Sequence, residues 1–413
     1  MHSKKRAKII NDPIYGFIEV DKGIINDLIN HKYFQRLRRI SQLGLSYLVY
    51  PGAQHTRFQH AIGSLHLMNK ALNQLENKGH KISKQEKEGV KIAILLHDIG
   101  HCPFSHALER TIVRDISHEQ LTLIYMHKLN EKFNGKLSLA IKIFENKYER
   151  KFLNQLVSSQ LDMDRLDYLK RDSFFTGVTE GNIGVDRIIS MLDIKDDRLV
   201  IEEKGIYSIE KFIIARRLMY WQVYLHKTVL SAENMLIQIL NRAKYLYENS
   251  KKIYLSPDLK RFFKNSFSFK DFIKDDSILE NFSRLDDYEI YACLKYWIKN
   301  EDFVLSNLSQ KILNRDLLKI RIQKTKFNKK IISEYRSNMM KKENINLNDS
   351  KYFIFSDKVS NSLYSIHESN IKILFKDGNI KDLSYSSDQF NLKVLAKTIN
   401  KYFLCSPSEY IVE

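Results

Sequence analysis

The segment Ala93–Leu108, AILLHDIGHCPFSHAL, places three histidines and one aspartate within ten residues, directly after a run of aliphatic side chains. The preceding residues, VKIAILL, indicate a buried helix that ends at the adjacent pair His97 and Asp98. A buried imidazole or carboxylate is costly unless it is paired, hydrogen-bonded or bound to a metal ion. The chain must therefore bring partners for these groups from other helices.

Composition favours a helical fold with an ample core. The chain has 413 residues, of which 43% are hydrophobic and 11% aromatic, so global disorder is excluded. Five prolines and fourteen glycines are few for this length, which points away from turn-rich β-sandwiches. We predict a mainly α-helical protein with a helical body over residues 1–320. The apolar residues recur at helical spacing in segments at 24–43, 117–132, 151–172, 209–249 and 286–318.

The C-terminal part of the chain has a different pattern. YFIFSDKV and IKILFKDGNIKDLSY are typical of strands, and Asp377-Gly378 marks a hairpin turn between two of them. The segment NLKVLAKTINKYFL that follows is predicted to be a closing helix. We therefore expect a small α+β region with a β-hairpin and a final helix over residues 321–413. A second small hairpin is predicted near Ile14–Val20, where apolar and polar residues alternate.

The lack of a recognisable targeting signal and the spacing of the cysteines predict a cytoplasmic protein without a membrane segment. The longest apolar runs fall well short of the roughly 20 residues that cross a bilayer. The N-terminus, MHSKKRAKII, has positive charge but no apolar region or cleavage site after it. Cys102, Cys293 and Cys405 are widely separated and have no CxxC spacing, as expected in a reducing compartment.

The chain is strongly basic, with 67 lysines and arginines against 49 acidic residues and a formal net charge of +18. This charge can serve a polyanionic partner, either nucleic acid or the phosphates of a nucleotide. It can equally reflect solvated lysine-rich faces, because lysine is spread along the whole chain. The densest basic run, KIRIQKTKFNKK at Lys319–Lys330, has no aromatic ladder for stacking on single-stranded bases. Charge alone leaves both interpretations open.

Two distant residues give the His97-Asp98 pair a set of possible partners. His60 lies on an earlier predicted helix in RFQHAIG, and Asp164 lies on a later one in LDMDRLDYLKRD. Two nitrogen and two oxygen ligands suit a divalent ion such as Mn, Fe, Ni, Co or Zn, whereas Mg normally favours more oxygens. Any one of these residues alone is more often a capping or core polar group. The four together, in this order, predict a metal site.

The order His60, His97-Asp98, Asp164 resembles the H…HD…D signature of the HD-domain phosphohydrolase superfamily. The segments NDPIYGFIEV, FQRLRRISQLGLSYLVYPGAQHTRFQHAIGSLHL, LLHDIGHCPFSHALE, SHEQ, LDMDRLDYLKRDSFFTG and ARRLMYWQVYLHKTVLSAENML resemble its deoxynucleoside triphosphate (dNTP) triphosphohydrolase branch. The likeness covers roughly residues 8–250 and continues to about residue 320. It implies an HD-domain helical bundle that hydrolyses dNTPs to deoxynucleoside and tripolyphosphate.

The resemblance also implies roles for individual residues. The implied metal ligands are His60, His97, Asp98 and Asp164, and the implied catalytic groups near the α-phosphate are His101, His118 and Asp98. The metal would be one divalent ion per site, Mn, Fe, Ni, Co, Zn or Mg, with a second Mg accompanying the nucleotide.

The same resemblance implies the substrate contacts. The residues implied to grip the triphosphate are Arg57, Arg165, Tyr168 and Arg216, with His106 as a further phosphate contact. Those implied to read the sugar are Gln42 and Asp172 at the 3′-hydroxyl, and Leu43 and Tyr224 as the wall that leaves no room for a 2′-hydroxyl. Arg165 replaces the lysine of some relatives; it keeps the charge but offers planar, bidentate hydrogen bonding.

Family members are commonly oligomers, and some are activated by nucleotides bound between subunits. The resemblance therefore implies a homo-oligomer, a dimer or tetramer, with a possible nucleotide activator. The residues that match the junction site are Lys8, Asn11, Gln35 and Arg38. Asn30 stands where guanine-selective relatives have an acidic residue, so this chain departs from the family pattern there.

Two other functions are compatible with the sequence. One is an HD phosphohydrolase that acts on another nucleotide, such as a monophosphate, a ribonucleotide or a signalling nucleotide; Leu43, Asp172 and Tyr224 argue against it because they match a deoxyribose-reading set. The other is a nucleic-acid-binding protein with a vestigial metal site, suggested by the net charge of +18. The complete set of metal and catalytic residues argues against that second alternative.

Overall fold

The computed structural model describes residues 8–105, 108–113, 115–361, 370–386 and 399–410. The protein is mainly α-helical with three small sheets among these residues, as predicted. The helices of the first half are α1 Ile24–Asn30, α2 Lys32–Gln35, α3 Arg57–Asn77, α4 Lys84–Leu96, α5 Glu109–Ile112, α6 His118–Lys132, α7 Ser138–Phe144, α8 Lys151–Val157, α9 Met163–Thr176 and α10 Val185–Ser190. Those of the second half are α11 Ile206–Met219, α12 Lys227–Glu248, α13 Pro257–Lys264, α14 Phe269–Lys274, α15 Asp276–Arg284, α16 Asp287–Trp297, α17 Phe303–Leu313, α18 Lys329–Glu343, α19 Leu347–Phe353 and α20 Leu383–Ser386.

Three of the long amphipathic segments consist of two helices each, because polar capping residues interrupt them. The segment 151–172 breaks where Asp162 accepts a hydrogen bond from the Arg165 backbone N–H and starts α9. The segment 286–318 breaks where Asp302 caps α17 in the same way. Between α11 and α12, residues Tyr220–Tyr224 form one π-helical turn, an irregularity that is frequent at functional sites.

The strands are short and form three separate antiparallel or mixed sheets. They are β1 Lys8–Asp12, β2 Gly16–Val20, β3 Leu192–Lys195, β4 Arg198–Glu202, β5 Lys319–Gln323, β6 Phe355–Asn361, β7 Lys372–Leu374, β8 Ile380–Asp382 and β9 Ile399–Ser406. The hairpin β1–β2 pairs Lys8 with Val20 and Asp12 with Gly16. The second sheet has the order β3-β4-β7-β8, and the third has the order β5-β9-β6 with β9 in the centre.

The C-terminal prediction was right for the hairpin and wrong for the closing helix. Strands β7 and β8 pair antiparallel around the turn that contains Asp377 and Gly378. The second half of the predicted helix, residues 399–404, instead belongs to the strand β9, which lies between β5 and β6. Phe403, Leu404 and Cys405 are buried there, so tertiary pairing overrode helical spacing. The first half of that segment lies outside the described residues.

The division at residue 320 stays a prediction, and strand pairing crosses it in two places. β7 pairs in parallel with β4, a strand of the helical body. β5 begins at Lys319 and pairs with β9. The Ser231 hydroxyl on α12 donates to the Leu318 carbonyl oxygen at 2.6 Å, which ties this sheet to the body.

The site lies where three helices of the body pack together. The long helix α3 contacts both α4 and α9. A capping box closes the start of α4: Ser83 accepts from the Glu86 N–H, and Glu86 accepts from the Ser83 N–H. Because α4 ends at Leu96, His97 and Asp98 follow its last turn and face α3 and α9. Within the described part of the chain, every helix is too short or too polar to cross a lipid bilayer.

Candidate active site

A buried cluster of two histidines and an aspartate forms the centre of the site. His60 Nε2 lies 3.2 Å from His97 Nε2 and 3.1 Å from Asp164 Oδ1. One donor atom from each of His60, His97 and Asp164 lies within 4.8 Å of the others. The Asp98 carboxylate is the next group, with Oδ2 3.6 Å from His60 Nε2 and Oδ1 3.5 Å from His97 Nε2. The four residues predicted as metal ligands are thus neighbours.

The imidazoles are oriented from behind by buried acceptors. His60 Nδ1 lies 2.7 Å from Asp167 Oδ2, and His97 Nδ1 lies 2.6 Å from the Ile94 carbonyl oxygen. With Nδ1 of each ring acting as donor, both Nε2 lone pairs face the centre of the cluster. Arg171 in turn binds both oxygens of Asp167, at 2.9 and 3.0 Å, and Asp12 Oδ2 at 2.8 Å. Asp12 ends β1, so the N-terminal hairpin is tied to the back of the cluster.

The electrostatics of the cluster favour a cation at its centre. Although burial opposes a charged imidazole, hydrogen bonds to Asp164 and Asp167 raise the pKa of His60 to about 10. Burial also opposes ionisation of Asp164, yet its bonds to His60 and His97 hold the pKa of its carboxyl well below the usual range. A divalent ion can take the place of the protons that these groups share. The imidazole and carboxylate donors therefore fit the metal that the sequence predicts.

Asp98 connects the cluster to the loop that follows it. Its Oδ2 accepts a hydrogen bond from Arg57 Nη1, and its Oδ1 lies 3.2 Å from His101 Nε2. Arg57 Nε also donates to Ser105 Oγ at 2.8 Å, and Ser105 Oγ donates to the Ser41 carbonyl oxygen at 2.9 Å. One arginine thus links the His-Asp pair to two loops.

The two predicted catalytic histidines lie together beside Asp98. The rings of His101 and His118 stack with centroids 4.0 Å apart and planes 18° apart. His118 Nδ1 lies 3.0 Å from Glu109 Oε1, and its Nε2 lies 3.2 Å from Glu119 Oε1. Gly100 permits this contact, because a Cβ there would lie 2.3 Å from the His118 carbonyl oxygen. Burial, with Arg57 nearby, holds the pKa of His101 well below its ordinary value, which favours the uncharged imidazole.

A cavity of about 450 Å³ opens in front of these groups. Nearly all of the residues predicted to contact substrate line it: Gln42, Leu43, Arg57, Arg165, Tyr168, Asp172, Arg216 and Tyr224. His106, the remaining predicted phosphate contact, lies outside the described residues. The same cavity is lined by Asp98, His101, His118 and Asp164. Helices far apart in the chain therefore bring the predicted catalytic and substrate residues to one space.

Three arginines, Arg57, Arg165 and Arg216, line this cavity and bring positive charge to it. Arg165 Nη1 binds Asp162 Oδ2 at 2.5 Å, and Arg216 Nη1 binds Gln160 Oε1 at 3.2 Å. The Nε atoms of Arg165 and Arg216 are buried and have no hydrogen-bond partner among the described residues. Unpaired buried donors are rare, and here they lie on residues that face the cavity.

A carboxylate and a tyrosine form a separate polar wall. The Tyr224 hydroxyl donates to Asp172 Oδ2 at 2.8 Å, and His55 Nε2 lies 2.7 Å from Asp172 Oδ1. His55 stacks on Phe175 with ring centroids 4.5 Å apart. The side-chain oxygen of Gln42 is buried without a hydrogen-bond partner in the described structure. This wall therefore has one acceptor held in place, the Asp172 carboxylate, and one without a partner in the described ranges, Gln42 Oε1.

The residues that match the family's junction site lie on the N-terminal hairpin and the short helices after it. Lys8 Nζ donates to Asn30 Oδ1 at 2.8 Å. Arg38 Nε donates to Gln35 Oε1 at 2.9 Å, and its guanidinium lies 3.5 Å from the Phe58 ring centroid. Asn11 lies on β1, opposite Phe17 of β2.

Several residues of the site were not predicted from the sequence. Asp167 and Arg171 are four residues apart on α9, a spacing that indicates a helical ion pair and can be found in the sequence. His55 and Glu109 lie in segments that resemble the family, but nothing local shows which group each would contact. Tertiary contacts pair His55 with Asp172 and Glu109 with His118.

Comparison with known proteins identifies the family. Residues 57–172 match the HD domain, and residues 183–254 match the HD associated region. The chain belongs to the HD-domain phosphohydrolases, which are hydrolases that bind divalent metals.

Individual relatives extend this likeness over most of the chain. A crystal structure of a phosphohydrolase from Bacteroides thetaiotaomicron VPI-5482 is 50% identical, with a TM-score of 0.94 over 97% of this chain and 100% of that one. YwfO of Bacillus subtilis (strain 168) is 32% identical over 92% of this chain and 88% of that protein. The deoxynucleoside triphosphate triphosphohydrolase SAMHD1 homolog of Dictyostelium discoideum is 32% identical over 58% of this chain, which spans half of that relative's length.

Proposed function

We propose that this protein hydrolyses deoxynucleoside triphosphates to deoxynucleoside and tripolyphosphate. The observation that carries the proposal is the composition of the 450 Å³ cavity. Its lining combines Asp98 and Asp164 of the metal-binding cluster, three arginines and the Tyr224–Asp172 wall. SAMHD1 proteins, described as deoxynucleoside triphosphate triphosphohydrolases, are relatives at 28–32% identity.

Phosphate chemistry requires a site that neutralises charge and aligns the reacting groups. Arg57, Arg165 and Arg216 would hold the triphosphate, with Tyr168 as a further contact. His60, His97, Asp98 and Asp164 would hold the metal, which when bound stabilises negative charge at the α-phosphate. The uncharged form of His101 is favoured by its lowered pKa, so this imidazole, with His118 stacked beside it, would accept a proton at the scissile phosphate.

The opposite wall would select the sugar. Gln42 and Asp172 would pair with the 3′-hydroxyl, because each offers an oxygen acceptor toward the cavity. Tyr224 is held by its 2.8 Å bond to Asp172, so it and Leu43 would form a fixed surface with no space for a 2′-hydroxyl. Such a wall favours a deoxyribonucleotide over a ribonucleotide.

Product analysis by chromatography tests this function. Purified protein is incubated with each dNTP, with all four together, with NTPs and with dNMPs, in the presence of Mn²⁺ or Mg²⁺. Deoxynucleoside plus tripolyphosphate is the expected product pair. Pyrophosphate, stepwise phosphate release, or preferential turnover of NTPs or dNMPs would contradict the proposal and indicate another nucleotide hydrolase. Absence of turnover combined with steeply salt-dependent DNA binding would favour the nucleic-acid-binding alternative.

We also propose that the protein acts as a homo-oligomer, a dimer or tetramer, with a nucleotide activator near Lys8, Asn11, Gln35 and Arg38. The exposed hydrogen bond between Lys8 and Asn30 supports this proposal, because this side of the molecule offers polar side chains to a ligand or a second subunit. Turnover that requires a mixture of dNTPs, together with a nucleotide-dependent change in mass by light scattering, is the expected result. Equal turnover of single dNTPs by a monomer would contradict it.

A further inference from the structure

Glu233 is a carboxyl group of the cavity that no step above uses. It lies on α12, one turn and a half from the helix start, and lines the cavity together with Leu43, Leu225 and Leu230. Among the described residues, none forms a hydrogen bond or ion pair with its carboxyl group. Burial without a neighbouring cation raises the pKa of Glu233 to about 7. A ligand that donates hydrogen bonds to this carboxyl would favour its ionised form and supply the partners that the protein does not.

Glu233 lies next to the loop that carries Gln42 and Leu43, two of the proposed sugar contacts. A Cβ built on Gly44 would lie 3.5 Å from Glu233 Oε1 and 3.2 Å from the Phe104 carbonyl oxygen. Gly44 has a φ of +51°, and it follows directly on Gln42 and Leu43. The glycine therefore lets this loop approach the carboxyl closely, so the carboxyl borders the space beyond the proposed sugar contacts.

Charge decides which part of a nucleotide can face Glu233. The triphosphate belongs with Arg57, Arg165, Arg216 and the metal cluster, because a carboxylate next to phosphate would repel it. The apolar side chains of Leu43, Leu225 and Leu230 line the same cavity as Glu233, and they suit an uncharged, planar group. The base is the uncharged, planar part of a nucleotide.

We propose that Glu233 reads the Watson–Crick edge of the base by accepting hydrogen bonds from its amino group. This inference rests on the proposed dNTP hydrolase function and adds a specificity residue to it. Adenine and cytosine each present one amino group, and guanine presents an amino group beside its N1–H, which suits a carboxylate with two oxygens. Thymine has no amino group; its single N3–H donor lies between two carbonyl oxygens, which repel a carboxylate. The site therefore disfavours dTTP and favours dGTP most.

Steady-state kinetics with the four dNTPs test the inference. In Glu233→Gln, the amide can donate to a thymine carbonyl oxygen, so the ratio of kcat/KM for dGTP to that for dTTP should fall about ten-fold or more. Glu248→Gln, an exposed change at the far end of the same helix, should leave this ratio unchanged. An equal loss for all four substrates, or an unchanged ratio in Glu233→Gln, would overturn the inference.

Binding measurements separate this inference from the proposed function. If the unmodified protein hydrolyses no dNTP, calorimetric titration with dGTP and dTTP in Mg²⁺ still compares the two bases. Tighter binding of dGTP that is lost in Glu233→Gln would retain the specificity role and reject the hydrolase function. Equal affinities, or no binding of either nucleotide, would reject the role of Glu233 as well.

Discussion

His60 is fully buried between Asp164 on its cavity side and Asp167 behind it. The rear carboxylate fixes which nitrogen of the ring carries a proton, and Arg171 fixes the carboxylate. Metal-ligating histidines generally depend on such partners for their orientation and basicity. The affinity of this site for metal is therefore set partly by residues that do not contact the ion.

The first prediction concerns Asp167 as a positioning residue. Asp167→Asn weakens the acceptor for His60 and leaves Arg171 with one buried carboxylate partner instead of two. We expect metal affinity to fall by about 10–100-fold while the protein still folds. Isothermal titration calorimetry with Mn²⁺ measures this change in affinity. Asp186→Asn, whose side chain is 72% exposed, serves as the matched control, and an unaltered affinity in Asp167→Asn would refute the positioning role.

The second prediction separates metal ligands from catalytic groups. Asp164→Ala removes an oxygen ligand from the cluster, so metal content and turnover should be lost together. His118→Ala removes a ring that contacts His101, Glu109 and Glu119, which lie outside the predicted ligand set, so it should keep the metal and lose turnover. Elemental analysis of both purified variants, with activity assays in parallel, provides the measurement. Full metal occupancy in Asp164→Ala would contradict the ligand assignment.

At the scale of elements, α16 holds two loops of the cavity in place. Asp287, the first residue of α16, accepts the Phe104 N–H at 2.7 Å and the Ser41 N–H at 2.8 Å. Phe104 and Ser105 both have positive φ angles, 53° and 57°, which non-glycine residues seldom adopt. Such strain persists only where surrounding contacts maintain it. Asp287 supplies one of these contacts, and Arg57 supplies another through Ser105.

The third prediction tests this role of α16. Asp287→Ala leaves one buried and one partly buried N–H group without an acceptor, so we expect the free energy of unfolding to fall by about 2 kcal/mol. The loop that carries His101 should also move, so kcat should fall while the metal stays bound. Denaturant unfolding, kinetics and metal analysis on one preparation check all three effects. An unchanged kcat would show that the loop holds its shape without Asp287.

The fourth prediction concerns the start of α4, whose other end carries His97. Burial opposes ionisation of Glu86, but hydrogen bonds from Ser83 and the Arg150 guanidinium lower the pKa of this carboxyl. Glu86→Gln keeps the capping geometry and removes the charge, so it should cost about 1 kcal/mol at pH 7.

The pH dependence of this loss has a definite direction. Because the pKa of Glu86 is lower in the folded state, its stabilisation is present above about pH 4.5 and disappears as the pH falls through the folded value. The stability difference between the unmodified protein and Glu86→Gln should therefore shrink toward zero in acid. Glu88→Gln, exposed on the same helix, should show no such trend. A difference that stays constant with pH would rule out the charge as its cause.

At the scale of the whole molecule, the C-terminal sheet supports the helix that carries Glu233. β9 is the central strand of its sheet, and Leu404 is 1% exposed. The neighbouring strand β5 begins next to Leu318, whose carbonyl oxygen is bonded by Ser231 of α12. Lys401 Nζ of β9 also lies 3.6 Å from the ring centroid of Trp221, a residue of the π-helical turn. The end of the chain thus packs against the active-site wall.

The fifth prediction follows from that packing. Leu404→Ala creates a cavity in the middle of the sheet, so the free energy of unfolding should fall by about 2–5 kcal/mol. Since β5 and β9 form one sheet, the loss should appear as a single cooperative transition with the helical body. Asn400→Ala, an exposed change on the same strand, should have little effect. A separate low-temperature transition in differential scanning calorimetry would show instead that the C-terminal region unfolds independently.

Residue types and their spacing were enough to predict the helical class and the chemistry of the metal cluster. Aliphatic residues at helical spacing around His60, His97 and Asp164 require burial, and buried polar groups of this kind require partners. These are local properties, so they can be predicted from residue type and spacing. The hairpin at Asp377-Gly378 was predictable for the same reason, because its turn depends on adjacent residues.

Contacts between side chains that are far apart in the chain depend on the tertiary structure and could not be predicted from residue spacing. The contacts of Asp167 with His60, of His55 with Asp172 and of Asp287 with two loops join residues up to 246 positions apart. The segment Ile399–Ser406 has helical spacing but became a strand, because two neighbouring strands offered hydrogen bonds and its apolar residues could be buried there. The spacing of apolar residues indicates which secondary structure a segment prefers locally. Its burial and its strand pairing depend on the rest of the chain.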